Sequence, residues 1–257
     1  MPISSFSKPL LVLLLAALAA ALLSVSVGST AIGIDDTLRV VTGGGSGLHQ
    51  TLILELRLPR TLSAFATGGL LAVAGALMQV LLRNPLADPY VLGLSGGAAV
   101  GALLAMLAGA AGFLVSGSAF AGALLATLLV FGLAHGSGSW TPSRLLLTGV
   151  VMAAGWGAVI TLILSMTPAS RLPGMLYWLM GDLSHAATPW PGLSILVLVC
   201  VLVFPLGRAL NVLARGSLQA AALGVSVRPL EWSIYLMASL LTATAVTMAG
   251  SVGFVGL

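Results

Sequence analysis

The chain is a succession of long apolar stretches parted by short breaks of glycine, proline and charge. Unbroken Leu, Ala and Val, as from Pro9 to Leu23, do not fit a membrane β-strand, which alternates apolar and polar over about ten residues. They fit helices, which need about 20 apolar residues to cross a bilayer. Placing boundaries at the breaks predicts seven spans, 10–28, 61–82, 91–109, 118–135, 144–166, 191–207 and 231–250, with an eighth starting at Gly253. The expected fold class is therefore an all-α polytopic membrane protein, with residues 1–257 forming one transmembrane domain. The first run, with Lys8 before it and Ser24 and Ser26 after it, has the outline of a signal peptide. Because further spans follow and a single lysine precedes it, it reads as an uncleaved first span.

Composition agrees with the pattern. Hydrophobic residues make up 59% of the chain, charged residues 6%, and the mean hydropathy is +1.14, whereas about a quarter of a soluble domain is charged. With the N-terminus inside, Lys8, Arg83, Arg144, Arg208, Arg215 and Arg228 fall on the cytoplasmic side and Arg39, Arg57, Arg60 and Arg171 on the other. The bias follows the positive-inside rule. Trp140, Trp178, Trp190, Trp232, Tyr90, Tyr177 and Tyr235 fall near span ends, as amphipathic rings do; Trp156 sits within a span. The net charge of +4 is dispersed, so no nucleic-acid patch forms. Gly93, Gly97 and Gly101 recur at helical spacing and predict a face on which two backbones approach closely.

Several chemistries are excluded. Lys8 is the only lysine, so no Walker A lysine exists, and the run Gly43 to Gly47 has neither phosphate-loop nor dinucleotide spacing. His49, His135 and His185 are scattered and Cys200 is alone, so a metal site built by this chain is not expected. No Asp, Glu, Lys or Arg lies in the middle of a predicted span, which argues against a proton-driven carrier. A sodium-coupled secondary carrier, which can use carbonyls and hydroxyls, stays open.

Four ordered segments carry a family resemblance. They are Leu56-Arg57-Leu58-Pro59-Arg60; Gly75-Ala76-Leu77-Met78-Gln79 followed by Arg83-Asn84-Pro85-Leu86-Ala87-Asp88-Pro89; Leu210-Asn211 with Gly216 and Leu223-Gly224-Val225; and Gly253-Phe254-Val255-Gly256-Leu257. The chain resembles, from residue 30 onward, the iron-siderophore and vitamin B12 permease family of bacterial ABC importers, of the type II class. The resemblance implies a fold of usually ten helices and a place in the bacterial inner membrane with the N-terminus cytoplasmic. It also implies a second permease subunit, two ATPase subunits that use ATP and Mg, and a periplasmic substrate-binding protein. The subunit itself would be no enzyme and hold no cofactor, and the cargo would be an iron-siderophore, haem or cobalamin-type complex. The sequence stops where the family's eighth helix begins, so a truncated, non-transporting fragment is an alternative.

Residue roles also follow from the resemblance. Arg57 and Arg60 would dock the binding protein, their alternative being to snorkel toward headgroups. Residues 208–229 would form the ATPase-coupling segment, through Leu210, Asn211, Gly216, Ala220, Leu223 and Gly224, although Ser217 and Leu218 stand where relatives commonly carry acids. Its alternative is an amphipathic loop resting on the membrane. Thr148, Met152, Gly155, Thr161 and Ser165 would line the translocation path, unless their hydroxyls serve the carbonyls of their own helix. Ser139 and Ser143 would lie in a gate loop, and Asn84 to Pro89 would form a turn, because its two prolines forbid an uninterrupted helix.

Overall fold

A computed structural model of the chain describes residues 4–28, 30, 32–44, 47–135, 141–183 and 188–252. Among the described residues every regular element is helical. In order they are α1 (Ser4–Ser26), α2 (Ile34–Val41), α3 (Leu48–Leu82), a 3₁₀ turn (Pro89–Leu92), α4 (Leu94–Leu107), α5 (Phe113–His135), α6 (Pro142–Met166), α7 (Leu172–Met180), α8 (Trp190–Leu213), α9 (Ser217–Ala222) and α10 (Val227–Ala249). They form two compact units, Met1–Ala64 with Ser184–Pro189, and Phe65–Leu183 with Trp190–Leu257.

Among the described residues six helices are long and apolar enough to cross a membrane: Lys8–Ser26, Leu48–Leu82, Phe113–Ala134, Ser143–Met166, Trp190–Leu213 and Val227–Ala249. The third expected span, 91–109, is shorter than hydropathy indicates. Its helix, α4, has 14 residues and is about 21 Å long at 1.5 Å per residue, against a hydrocarbon core of about 30 Å. Left-handed backbone at Gly93 (φ 72°) and Gly109 (φ 83°) cuts it at both ends, which hydropathy alone does not register. The second expected span differs in the other direction. α3 starts at Leu48 and carries Glu55 and Arg57 through a π-helical segment, Leu52–Arg57.

Local chemistry sets several of the remaining ends. Thr141 caps α6 by accepting the Arg144 amide at 3.3 Å, with Pro142 beginning the helix. α8 tightens to 3₁₀ at Phe204–Leu206, around Pro205, and then runs on to Leu213. In the second unit, α3, α5, α8 and α10 share a core in which Leu70, Met78, Val130, Val199, Ile234 and Leu241 are buried. Tyr235, also buried there, donates its hydroxyl to the Thr127 carbonyl at 2.8 Å, so its polar tip has a partner.

α4 and α5 approach closely on the expected glycine face. A methyl group on Gly97 would lie 2.5 Å from the Ala126 Cβ and 2.6 Å from the Gly122 carbonyl oxygen. One on Gly101 would run into the Ser118 carbonyl, and one on Gly122 into the Gly97 carbonyl. Dispersion between touching backbones here takes the place of the hydrophobic drive that lipid cannot supply. Gly101→Val should therefore force the helices apart at a cost of about 1–3 kcal/mol. A thermal unfolding scan in detergent should show the loss; unchanged stability would refute the contact.

Candidate functional site

In the first unit, the side chains that matter gather at the end of α1. Val25, Ile32, Val40 and Ile53 bury an apolar centre there. Above it the Arg57 guanidinium donates through Nη1 to the carbonyls of Val25 (2.9 Å) and Ser26 (3.0 Å), and through Nη2 to that of Thr30 (2.6 Å). The last carbonyls of a helix lack intrahelical partners and carry partial negative charge, so a cation suits them. Gly28 leaves room for this group: a Cβ at that position would lie 2.6 Å from Arg57 Nη2. Ser24 and Thr61 hydroxyls meet at 2.9 Å close by. Arg60 is placed differently. It is exposed, whereas Arg57 is half-buried.

In the second unit, the Asn84 to Pro89 segment is the expected turn. Arg83 leaves α3 with φ 50°, Asn84 Oδ1 accepts the Leu86 amide at 3.0 Å, and Asp88 Oδ1 accepts the Tyr90 amide at 2.7 Å. Asp88 is buried and so holds the short 3₁₀ turn from inside. Tyr90 is half-buried and packs against the core of this unit. Trp156 of α6 lies against Gly96, where a Cβ would come 2.6 Å from its own. That contact explains a tryptophan far from a span end.

The segment expected to couple to an ATPase contains two short helical pieces, Gly207–Leu213, which continues α8, and α9. Leu210 and Ala220 are buried and anchor them in the core, while Asn211 is exposed. Gly216 (φ 135°) precedes α9 and Gly224 (φ 81°) follows it, both in backbone that only glycine adopts easily. Leu218 and Leu223 are 87% and 72% exposed. They face away from their own fold.

The residues expected to line a path do not share one face of α6. At about 100° per residue, Thr148, Met152 and Gly155 lie together, and Thr161 and Ser165 lie about 80–180° round the helix from them. Met152 packs against the core, and Gly155 has open space around it. Thr161 Oγ1 donates to the Gly157 carbonyl at 2.9 Å and Ser165 Oγ to that of Leu162 at 2.8 Å. Those two hydroxyls therefore serve their own helix. Ser143 is exposed in the first turn of α6. Ser139, Trp140, His185 and the segment Gly253–Leu257 lie outside the described residues.

Arg171, just before α7, repeats the arrangement of Arg57. Its Nη1 donates to the Leu107 carbonyl at 2.5 Å, at the end of α4. It lines an open cleft of about 410 Å³ with Ser170, Met106 and Met175. Sequence reasoning listed Arg171 only as a topological charge, and it did not single out Gly28; no local pattern ties either position to a distant helix end. Among the described residues no group of three or more His, Cys, Asp or Glu could hold a metal ion.

Long apolar helices and close glycine packing define a multi-pass helical membrane protein. Two of its arginines serve helix ends, and a connecting segment shows exposed leucines. A family model for the FecCD transport family matches residues 13–257, and the chain belongs to that family. An ABC transporter permease protein of Bacillus subtilis, YvrB, is 38% identical over 254 residues, covering 92% of this chain and 71% of the relative. The vitamin B12 import system permease BtuC of Vibrio vulnificus is 38% identical over 228 residues, covering 82% of this chain and 65% of its own length. A solved structure described as an inward-facing metal-chelate type ABC transporter superposes with a TM-score of 0.84 at 27% identity, over 98% of this chain and 79% of that one. The family places the protein in the inner membrane.

Removing the Asp88 carboxylate tests whether the geometry of this turn rests on the bond between Asp88 Oδ1 and the Tyr90 amide. Asp88→Ala should cost about 1 kcal/mol, the usual worth of such a cap. Chemical denaturation in detergent should read the difference, and an unaltered midpoint would show that the turn holds without it.

Proposed function

We propose that this chain is the transmembrane permease subunit of an ATP-binding-cassette importer that moves a metal-chelate or cobalamin-type complex from periplasm to cytoplasm. The single observation that carries this reading is the family match over residues 13–257, together with relatives that are import permeases. Iron-siderophore and haem complexes belong to the same cargo class. The chain contributes no covalent step. ATP, with Mg, is hydrolysed by a separate ATPase subunit, a substrate-binding protein delivers cargo, and a second permease subunit completes the path.

In this reading the N-terminus is cytoplasmic, and α4 with the turn before it counts as a seventh, foreshortened passage. The coupling segment then faces the cytoplasm, and its exposed Leu218 and Leu223 suit an apolar groove on the ATPase. Buried apolar contact of this kind is what makes an interface hold once charges have steered it together. The rim that bears Arg57 and Arg60 faces the binding protein, whose carboxylates suit arginine. On α6, Thr148, Met152 and Gly155 are the residues whose shared side suits a path; weakly polar walls of this kind pass a large chelate without gripping it.

Replacing Leu223 by Asp puts a charge into the proposed ATPase contact. ATPase subunits should co-purify with the parent chain and be lost from the variant, while membrane insertion is retained. Uptake of cyanocobalamin or haemin should cease when the ATPase is removed. Uptake that survives that removal but collapses with an uncoupler would replace the importer reading with a secondary carrier.

A further inference from the structure

We infer that α2 is an interfacial helix, lying in the headgroup layer at the end of α1 with Ile34, Leu38 and Val41 set into the acyl chains of the surrounding phospholipid. At eight residues α2 is about 12 Å long, too short to span a bilayer. At about 100° per residue its side chains sort into three sectors. Thr37 and Val40 are buried against the unit. Ile34, Leu38 and Val41 fall within roughly 60° of arc beside them, and they are 56%, 46% and 54% exposed. Asp35, Asp36 and Arg39 occupy the remaining side, where Asp36 Oδ2 lies 3.9 Å from His49 Nδ1. Protein on one flank, apolar side chains on a second and charges on a third is how a helix lying in the plane of a membrane surface is divided.

The level of α2 follows from α1. The apolar stretch Lys8–Ser26 has 19 residues and is about 28 Å long, which matches a hydrocarbon core of about 30 Å. Its last turn therefore sits at the edge of that core. α2 is packed against this turn through the cluster of Val25, Ile32, Val40 and Ile53, and the Ser26 hydroxyl donates to Thr37 Oγ1 at 3.4 Å. Exposed leucines run along α1 and continue at its end in Leu22, Leu23 and Val27, so the apolar side of α2 prolongs a lipid-facing surface. A second copy or another protein suits the patch less well. Three side chains about half exposed offer well under the roughly 800 Å² that each partner of a stable complex buries. Acyl chains need neither that area nor a complementary shape. Seated in them, α2 anchors at the membrane surface the joint in which Arg57 holds the end of α1.

Spin labelling of the full chain in phosphatidylcholine nanodiscs tests the depth, in a Cys200→Ser background because Cys200 is the only cysteine. Oxygen partitions into acyl chains, whereas a nickel chelate stays in water. Labels on Ile34→Cys, Leu38→Cys and Val41→Cys should show a ratio of oxygen to chelate collisions severalfold higher than labels on Asp35→Cys and Arg39→Cys. Equal ratios at all five positions would overturn the inference. So would labels at Ile34, Leu38 and Val41 that are shielded from both reagents, because a protein surface would then cover this side. A second measurement needs no label. Leu38→Gln should accelerate amide exchange over Ile34–Val41 severalfold in the same nanodiscs, and Arg39→Gln should leave it unchanged; equal exchange in the two variants would also sink lipid contact. Neither measurement involves transport, so failure here is distinct from failure of the importer proposal.

Discussion

Hydrocarbon cannot solvate a peptide group, and most of this architecture follows from that constraint. Within a helix the backbone satisfies itself, but the last carbonyls of each helix remain exposed. The chain answers at two such ends with arginine: Arg57 covers the end of α1 and Arg171 the end of α4. Tyr235 reaches the Thr127 carbonyl in the interior, and Thr161, Ser165, Thr242 and Thr247 turn their hydroxyls back on their own helices. Few polar side chains are left over. A transport subunit of this family needs none for covalent chemistry, and two of its arginines are committed to helix ends.

The same solvent sets how helices hold together. Because lipid is as apolar as leucine, association has to come from close contact. Gly97, Gly101 and Gly122 supply it by removing every atom between the α4 and α5 backbones, and Gly96 does so beneath Trp156. A short, intimately packed helix is the result. Its glycines hold position against neighbours, whereas those flanking α9 shape the backbone of a segment that projects from the fold.

Hydropathy made the long spans legible because each stands as an unbroken apolar run, and the glycine face of α4 was legible from its spacing. The foreshortening of α4 was harder to see, since apolar residues continue past the points where Gly93 and Gly109 turn the chain. The early start of α3 was hidden by Glu55 and Arg57, which read as loop residues until a carbonyl partner 32 positions earlier is known. That long-range bond is also why a motif reading could pair Arg57 with Arg60 but not separate them. Leu223 shows the opposite case. Its motif marked it, and its exposure follows from Gly224, a turn residue beside it. On α6, the family resemblance suggested five path residues, but the helical turn angle alone divides them between two sides.

The shortness of α4 has a consequence for the surrounding bilayer. A helix some 9 Å shorter than the hydrocarbon core, if it faced lipid, would have to thin the membrane locally or draw headgroups inward. α4 instead has Leu94, Ala98, Ala102 and Leu103 buried among protein neighbours. With that face covered by protein, membrane thickness is felt first by the long peripheral helices and not by the shortest one.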